Sequence, residues 1–132
     1  MAVDTVIFDT DVLVWAQRGS VKALDTVSDA SERAISVLTY MELLQGARNS
    51  VEFHRIREFV TDGQFRIFPL TENIGHRALV YVEEYALSHG LRADDAIIAS
   101  TAIENSFTLV SSNHKHYRFL NDLKFRHFKC AQ

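Results

Sequence analysis

Four oxygen-bearing side chains follow or precede apolar segments in a way that could bring them together. Asp9 follows a short apolar run, Glu42 lies shortly after a second one, and Asn113 follows a third. Asp95 opens a helical pattern just before that third run. If the apolar runs are strands of one parallel sheet, these side chains meet at its carboxyl edge, where α/β proteins bind ligands.

Carboxylates gathered at one edge repel each other unless cations lie between them. Mg²⁺ and Mn²⁺ prefer oxygen ligands in such sites. A metal held in this way lowers the pKa of bound water and clamps phosphoryl oxygens, which is the chemistry of phosphodiester hydrolysis. The candidate metal ligands are therefore Asp9, Glu42 and Asp95, and Asn113 is a fourth candidate catalytic residue.

Each acid also has a structural interpretation. Asp9 could cap the first helix, and Thr39 and Glu42 have the spacing of a capping box, with Thr39 as the N-cap and Glu42 in the first turn. Asp94 and Asp95 suit a helix N-terminus, where a negative charge contributes about 0.3–1 kcal/mol. Capping alone does not require three acids at one sheet edge, so the group favours the metal-site hypothesis.

The elements that must position these residues alternate between strands and helices. Apolar, β-forming segments predict strands at residues 6–8, 34–37, 65–68, 108–110 and 124–128. Apolar positions three and four apart predict helices after Asp9, from Thr39, over residues 51–62, from Asn73 and from Asp94, with glycine caps at Gly63 and Gly90. This alternation predicts one α/β domain over residues 1–132, with three layers (α/β/α) and a central, mostly parallel sheet of about five strands.

Four segments resemble, in order and spacing, the motifs of PIN-domain proteins, particularly the VapC-type toxins. They are VIFDTDVLVW at residues 6–15, TYMELLQGA at 39–47, DAIIASTA at 95–102 and LVSSNHKHY at 109–117. The resemblance assigns metal-ligand roles to Asp9 and Glu42. In the third motif it selects Asp95 over Asp94, because the family's ligand directly precedes the apolar run.

The resemblance implies a metal-dependent endoribonuclease that uses Mg²⁺ or Mn²⁺, forms a homodimer and is inhibited by a cognate antitoxin protein. For toxin-type members it implies tRNA or ribosomal RNA as the substrate. The fourth motif departs from the acidic pattern, because the family often has Asp at the position of Asn113 and sometimes another at His116. One firmly held metal, with a second recruited with the substrate, is thus as consistent with the sequence as a preformed pair.

The charge of the chain limits how it could bind RNA. The net charge is −3, with 47% hydrophobic and 23% charged residues, whereas proteins that grip nucleic acid by charge alone are usually basic. Residues 115–129 hold five basic side chains and one acid, which indicates either an RNA-contact surface or a solvated face. The candidate RNA contacts are Thr10, Arg18, Arg48, Lys115 and His116, and Trp15 either packs in the core or stacks on a base.

The sequence also carries expectations about location. No apolar run is long enough to span a membrane, and the N-terminus lacks the pattern of a secretory signal, so we expect a cytoplasmic protein. The single cysteine, Cys130, cannot form an internal disulfide. It lies two residues from the end of the chain, where a precisely held nucleophile is not expected.

Two other functions fit part of the pattern. A haloacid-dehalogenase-like phosphatase also has Asp-x-Asp after a strand, with Asp9 as nucleophile and Asp11 as acid. However, Val12 and Leu13 stand where that family usually has Gly and Thr. The second alternative is a binding protein with a PIN fold and no catalysis, against which the three intact acids argue.

Overall fold

A five-stranded sheet forms the middle layer of the molecule. The computed structural model describes residues 4–129. Its strands are β1 (Thr5–Phe8), β2 (Glu32–Ser36), β3 (Arg66–Phe68), β4 (Thr108–Ser111) and β5 (Phe125–His127). Their order is β3-β2-β1-β4-β5, and all neighbouring pairs are parallel. The chain moves outward from β1 to β3 and then returns to β4 beside β1, so a topological switch point lies between β1 and β4.

Helices cover both faces of this sheet. They are α1 (Thr10–Gln17), α2 (Val21–Asp29), α3 (Val37–Gln45), α4 (Ser50–Asp62), α5 (Glu72–His89), α6 (Ala93–Glu104) and α7 (His114–Tyr117). Helices α1, α2 and α4 pack on one face, whereas α5 and α6 pack on the other. The predicted three-layer α/β/α fold with a parallel sheet of five strands is therefore confirmed.

Strand β1 shows why the sheet must be covered twice. Val6 and Phe8 belong to the core under α1, α2 and α4, whereas Ile7 belongs to the core under α5 and α6. All three side chains are fully buried, and burial of each large apolar side chain contributes about 1.5–3 kcal/mol. An apolar run with no polar alternation is the pattern expected for a strand buried on both faces.

The predicted start of α3 is wrong. Strand β2 runs to Ser36, whose Oγ accepts a hydrogen bond from the Leu38 amide 3.1 Å away, so Ser36 is the N-cap. Thr39 is fully buried inside the helix and does not cap it. Glu42 consequently lies beyond the first turn, and the capping-box interpretation of this acid does not hold.

The two predicted glycine caps differ. Gly90 ends α5 in the left-handed conformation, with φ of 67°, as the prediction required. Gly63 ends α4 with φ of −74°, so it is not a left-handed cap. A Cβ there would lie 2.7 Å from the Phe65 ring and 2.8 Å from the Phe59 carbonyl oxygen, so close packing requires this glycine.

Some features lie outside what the sequence predicted. Helices α2 and α7 were not expected, because α2 exposes Val21 and Leu24 and α7 spans only one turn. Over residues 4–129, no helix has the length and apolar character to cross a membrane. Cys130 lies outside the described residues.

Candidate active site at the carboxyl edge of the sheet

Asp9 lies at the switch point, immediately after β1, and its carboxylate is held by three donors. Its Oδ1 accepts a hydrogen bond from the Thr10 amide at 2.8 Å. Its Oδ2 accepts hydrogen bonds from Ser111 Oγ at 2.7 Å and from the Tyr117 hydroxyl at 2.9 Å. The residue is only 4% exposed, so these hydrogen bonds compensate a charge that has little contact with water.

The electrostatics of Asp9 are unfavourable without a cation. Burial, together with the charge of Asp11, raises the pKa of Asp9 from 3.8 to about 6, although the hydrogen bonds from Ser111, Tyr117 and Thr10 oppose this shift. An acid whose pKa is raised by burial and by a second acid is a frequent feature of functional sites.

Asp95 faces Asp9 across the hydroxyl of Tyr117. It lies in the first turn of α6 and is buried. Its Oδ1 is 3.3 Å from the Tyr117 hydroxyl, and its Oδ2 is 3.1 Å from His116 Nδ1. Burial and the neighbouring Asp94 raise the pKa of Asp95, and His116 and Tyr117 oppose the shift.

Glu42 reaches the same edge from α3. Its Oε1 accepts a hydrogen bond from the Thr10 hydroxyl at 2.7 Å. The Thr10 hydroxyl also lies 3.1 Å from Thr39 Oγ1. Thr10 therefore orients Glu42 and links the N-terminus of α1 to α3. The buried Thr39 contributes to this link through its hydroxyl, although it does not cap α3.

The four predicted site residues line one cleft. Asp9, Glu42, Asp95 and Asn113 border a cleft of about 400 Å³, together with Thr10, Asp11, Val14, Trp15, Arg18, Asp94 and Ile98. Carboxylate and amide oxygens of this kind suit a hard cation such as Mg²⁺ or Mn²⁺. Within residues 4–129, however, no three acidic, histidine or cysteine side chains already form a cluster that could hold an ion.

Asp11 has a different role from its neighbours in the cleft. Its Oδ1 accepts a hydrogen bond from the Val12 amide at 2.8 Å. Its Oδ2 accepts hydrogen bonds from the Ser112 amide at 3.0 Å and from the Ser112 hydroxyl. Both carboxylate oxygens are therefore occupied: Oδ1 bonds within α1, and Oδ2 attaches α1 to the segment that follows β4.

The predicted RNA contacts are distributed over more than one surface. Thr10 and Arg18 line the acidic cleft, and His116 lies beside Asp95. Arg48 instead lines a second cleft, and its guanidinium forms a 2.8 Å ion pair with Glu52. Lys115 is exposed on α7. Trp15 packs against the core, as one of its two predicted roles required, and it also lines the acidic cleft. Base stacking by this ring stays a prediction.

Sequence reasoning missed Tyr117 and Ser111. Both lie within the fourth motif, but a tyrosine in a mixed segment and a serine at a strand end carry no distinctive pattern. Tyr117 is 1% exposed, and burial together with Asp9 and Asp95 raises its pKa far above the usual range. The phenol thus remains a hydrogen-bond donor at all physiological pH values.

A parallel α/β sheet with an acidic cleft at its switch point defines the class of protein, and comparison with known proteins defines the family. The sequence model described as "PIN domain" matches residues 6–120, so the chain belongs to the PIN domain family. No curated protein matches the chain.

Solved structures agree with this assignment. A chain of a toxin–antitoxin complex from Klebsiella pneumoniae is 26% identical, with a TM-score of 0.78 over 90% of this chain and 95% of that one. A chain of VapBC2 from Rickettsia felis, bound to a promoter DNA fragment, is 18% identical with a TM-score of 0.78, over 94% and 98%. A chain of DNA-bound VapBC from Salmonella typhimurium is 17% identical with a TM-score of 0.77, over 93% and 97%. The predicted resemblance to VapC-type PIN proteins is confirmed.

The raised pKa of Asp9 predicts how the metal-free protein responds to pH. The folded state binds the Asp9 proton more tightly than the unfolded state, so stability falls as pH rises from about 4 through about 6. A pKa shift of about two units corresponds to at most about 3 kcal/mol. We expect the free energy of unfolding, measured by urea denaturation in the presence of EDTA, to fall by up to this amount between pH 4 and pH 8.

The variant Asp9→Asn is the control, because it cannot ionise at this position. Its free energy of unfolding should show a smaller decrease over the same pH range, while contributions from Asp95 remain in both proteins. Parallel pH profiles for the two proteins would contradict the assignment of a raised pKa to Asp9.

Proposed function

We propose that the protein is a metal-dependent endoribonuclease that hydrolyses phosphodiester bonds of RNA and is the toxin of a toxin–antitoxin pair. The observation that carries the proposal is the convergence of Asp9, Glu42, Asp95 and Asn113 on one cleft of a PIN-domain chain. The family resemblance favours tRNA or ribosomal RNA as the substrate and therefore the cytoplasm as the location.

Asp9, Asp95 and Glu42 would hold Mg²⁺ or Mn²⁺. When bound, the cation supplies an activated water and neutralises charge that develops on the phosphate. The chain's own residues prepare this site: Ser111 and Tyr117 hold Asp9, and Thr10 holds Glu42. The amide oxygen of Asn113 would be a neutral metal ligand at the rim of the cleft. A neutral ligand suits a site that holds one ion firmly and gains a second ion with the substrate.

A surface beside the cleft fits a nucleic-acid strand. We define the α7–β5 surface by His114, Phe125 and His127 with Lys115 and Lys129. The ring of His114 lies 5.8 Å from that of Phe125 and 5.5 Å from that of His127, and both histidines are exposed. His127 is in register with Ser111, which donates to Asp9. Exposed rings with nearby cations form a platform on which bases stack and phosphates bind.

The phosphatase alternative is disfavoured by the position of Asp11. A general acid must be free to reach the leaving group, whereas both oxygens of this carboxylate accept hydrogen bonds from Val12 and Ser112. The inactive binding protein is disfavoured by the site itself, since a raised pKa and a buried carboxylate pair are costly features to retain without a function.

The nuclease proposal is tested with purified protein and structured RNA. We expect cleavage in Mg²⁺ or Mn²⁺ that stops in EDTA. Asp95→Asn should lose at least about 100-fold in kcat, because a metal ligand loses its charge. The matched variant Asp94→Asn should lose far less, because the Asp94 carboxylate accepts a hydrogen bond from the Asp95 amide and pairs with Arg92.

Equal losses in Asp94→Asn and Asp95→Asn would mean that the ligand in the third motif is misassigned. Hydrolysis of a small phosphomonoester without RNA cleavage would support the phosphatase instead. A folded wild-type protein that cleaves neither substrate would support the inactive binding protein.

The α7–β5 surface is tested separately from the chemistry. Replacement of both His114 and His127 by Ala should weaken RNA binding by about tenfold, because base stacking contributes about 1–3 kcal/mol per base. The effect should appear in Kd or KM, with kcat largely retained. The control is His76→Ala, which removes an exposed histidine near the start of α5, outside the α7–β5 surface. A similar loss of RNA binding in this control would contradict the assignment.

A second cleft suits a protein partner. It has a volume of about 540 Å³ and lies between α1, α3 and α4, with Val14, Leu43, Ala47 and Ile56 as its apolar lining and Arg18, Arg48 and Arg55 among its charged residues. Thr10 and Glu42 border both clefts. We propose that an amphipathic helix of the antitoxin lies here with its acids toward the arginines. A basic side chain of the same segment would then reach the acidic cleft.

The apolar faces of α3 and α4 are only partly open. Leu43, Ile56 and Val60 are buried in the core, whereas Met41, Val51 and Phe53 stay at least 38% exposed. Exposed apolar side chains also occur on β3, which contacts α3, and on α5, at Ile67, Leu79 and Val80. We propose that the homodimer buries Met41 with this β3–α5 group, since apolar patches of this kind mark protein interfaces.

The partner proposal predicts growth arrest when the protein is expressed alone and rescue when the neighbouring small gene is co-expressed, with a co-purifying complex. Arg55→Glu should weaken rescue and complex formation, because it reverses a charge in the second cleft. Arg57→Glu, an exposed residue of the same helix that does not line the cleft, should not. If the protein is monomeric and does not arrest growth but still cleaves RNA, the nuclease proposal stands and the toxin and homodimer proposals are wrong.

A further inference from the structure

The hydroxyl of Tyr117 lies between the two most buried carboxylates of the site. It is 2.9 Å from Asp9 Oδ2 and 3.3 Å from Asp95 Oδ1. The side chain comes from α7, whereas the two acids come from the end of β1 and the first turn of α6. With 1% of its surface exposed, Tyr117 cannot touch an RNA substrate.

The hydrogen bonds of Asp9 leave it few ways to bind a cation. A carboxylate has about four lone-pair positions, two on each oxygen. Ser111 and Tyr117 occupy both positions on Oδ2, and the Thr10 amide occupies one on Oδ1. One position on Oδ1 remains, so Asp9 would bind an ion through that single oxygen while these donors stay in place.

The same hydroxyl does not hold Asp95 in this way. A phenol has one hydrogen, and its shorter contact directs that hydrogen to Asp9, so Asp95 Oδ1 lies 3.3 Å from the phenol oxygen without receiving it. His116 contacts the other oxygen of Asp95 at 3.1 Å. Asp9 is therefore oriented by Tyr117 and Asp95 is contacted by His116, and both of these residues belong to α7.

We propose that Tyr117 is a positioning residue for the metal site, whose hydroxyl fixes the Asp9 carboxylate and leaves Asp9 Oδ1 as the oxygen that would bind the cation. This inference rests on the proposed metal-dependent function. It assigns a role to a residue that neither contacts RNA nor supplies a metal ligand. Such outer hydrogen bonds typically change metal affinity by about 10- to 100-fold.

The test compares two variants that each lose one buried phenolic hydroxyl. Tyr117→Phe removes the hydroxyl between the acids. Tyr81→Phe removes the hydroxyl of another buried tyrosine, on α5, which lies 3.4 Å from Arg77 Nη1 and does not line the cleft. Binding of Mn²⁺ alone is measured by electron paramagnetic resonance and by the rise in Tm with Mn²⁺ concentration, which follows from linkage.

We expect Tyr117→Phe to bind Mn²⁺ about 10- to 100-fold more weakly than the wild type, and Tyr81→Phe to bind it with unchanged affinity. Equal or tighter binding by Tyr117→Phe would overturn the inference while the nuclease proposal stands. A wild-type protein that binds no Mn²⁺ would overturn both.

Loss of the fold in Tyr117→Phe would not prevent a decision. Ser111→Ala removes the other donor to the same oxygen from a different element, and it should weaken Mn²⁺ binding in the same direction. Unchanged affinity in a folded Ser111→Ala protein would contradict the view that the donors to Oδ2 set the metal affinity.

Discussion

The buried carboxylate of Asp9 is the constraint on which the rest of the site depends. Its position at the switch point removes it from water and raises its pKa to about 6. Three donors from three places in the chain then surround it: Thr10 at the start of α1, Ser111 at the end of β4 and Tyr117 in α7. Because each donor depends on a different element, the site forms only when β1, β4 and α7 are packed together.

The parallel sheet makes this arrangement possible. Each strand of such a sheet ends at the same edge, so residues distant in sequence are brought together without any local pattern that links them. Asp9 and Ser111, which are hydrogen-bonded, are an example of such a long-range contact. Both faces of β1 must be buried for this to happen, and the two separate cores under the helices provide that burial.

The polar residues around the cleft divide into those that hold the structure and those that stay available. Asp11 bonds to the Val12 amide with one oxygen and attaches α1 to the loop after β4 with the other. Asp9 keeps one open position, and Asp95 lies against a hydroxyl and an imidazole. Thr10 and Glu42 connect the acidic cleft to the second cleft. A partner in the second cleft would therefore contact residues of the proposed catalytic site directly, which gives inhibition a short physical route.

The sequence by itself determined the fold class, the parallel sheet and the identity of four of the residues that share the cleft. Buried strands and amphipathic helices have distinct apolar periods, and acids at strand ends are conspicuous against them. Helices α2 and α7 were missed, because α2 buries only Ala23 and Val27 and α7 spans a single turn. The start of α3 was misplaced because Ser36 and Thr39 are both good caps, and only the length of β2 decides between them.

Only the tertiary structure decided how the site residues interact. That Asp11 is a structural tie, that Arg48 pairs with Glu52 outside the acidic cleft, and that Tyr117 lies between two carboxylates all depend on distances between elements. Hydrogen bonds are set within a few tenths of an ångström, whereas a sequence pattern fixes only the face and the end of an element on which a residue lies. The physical reason for this division is that periodicity records burial, and burial does not specify which polar atoms meet.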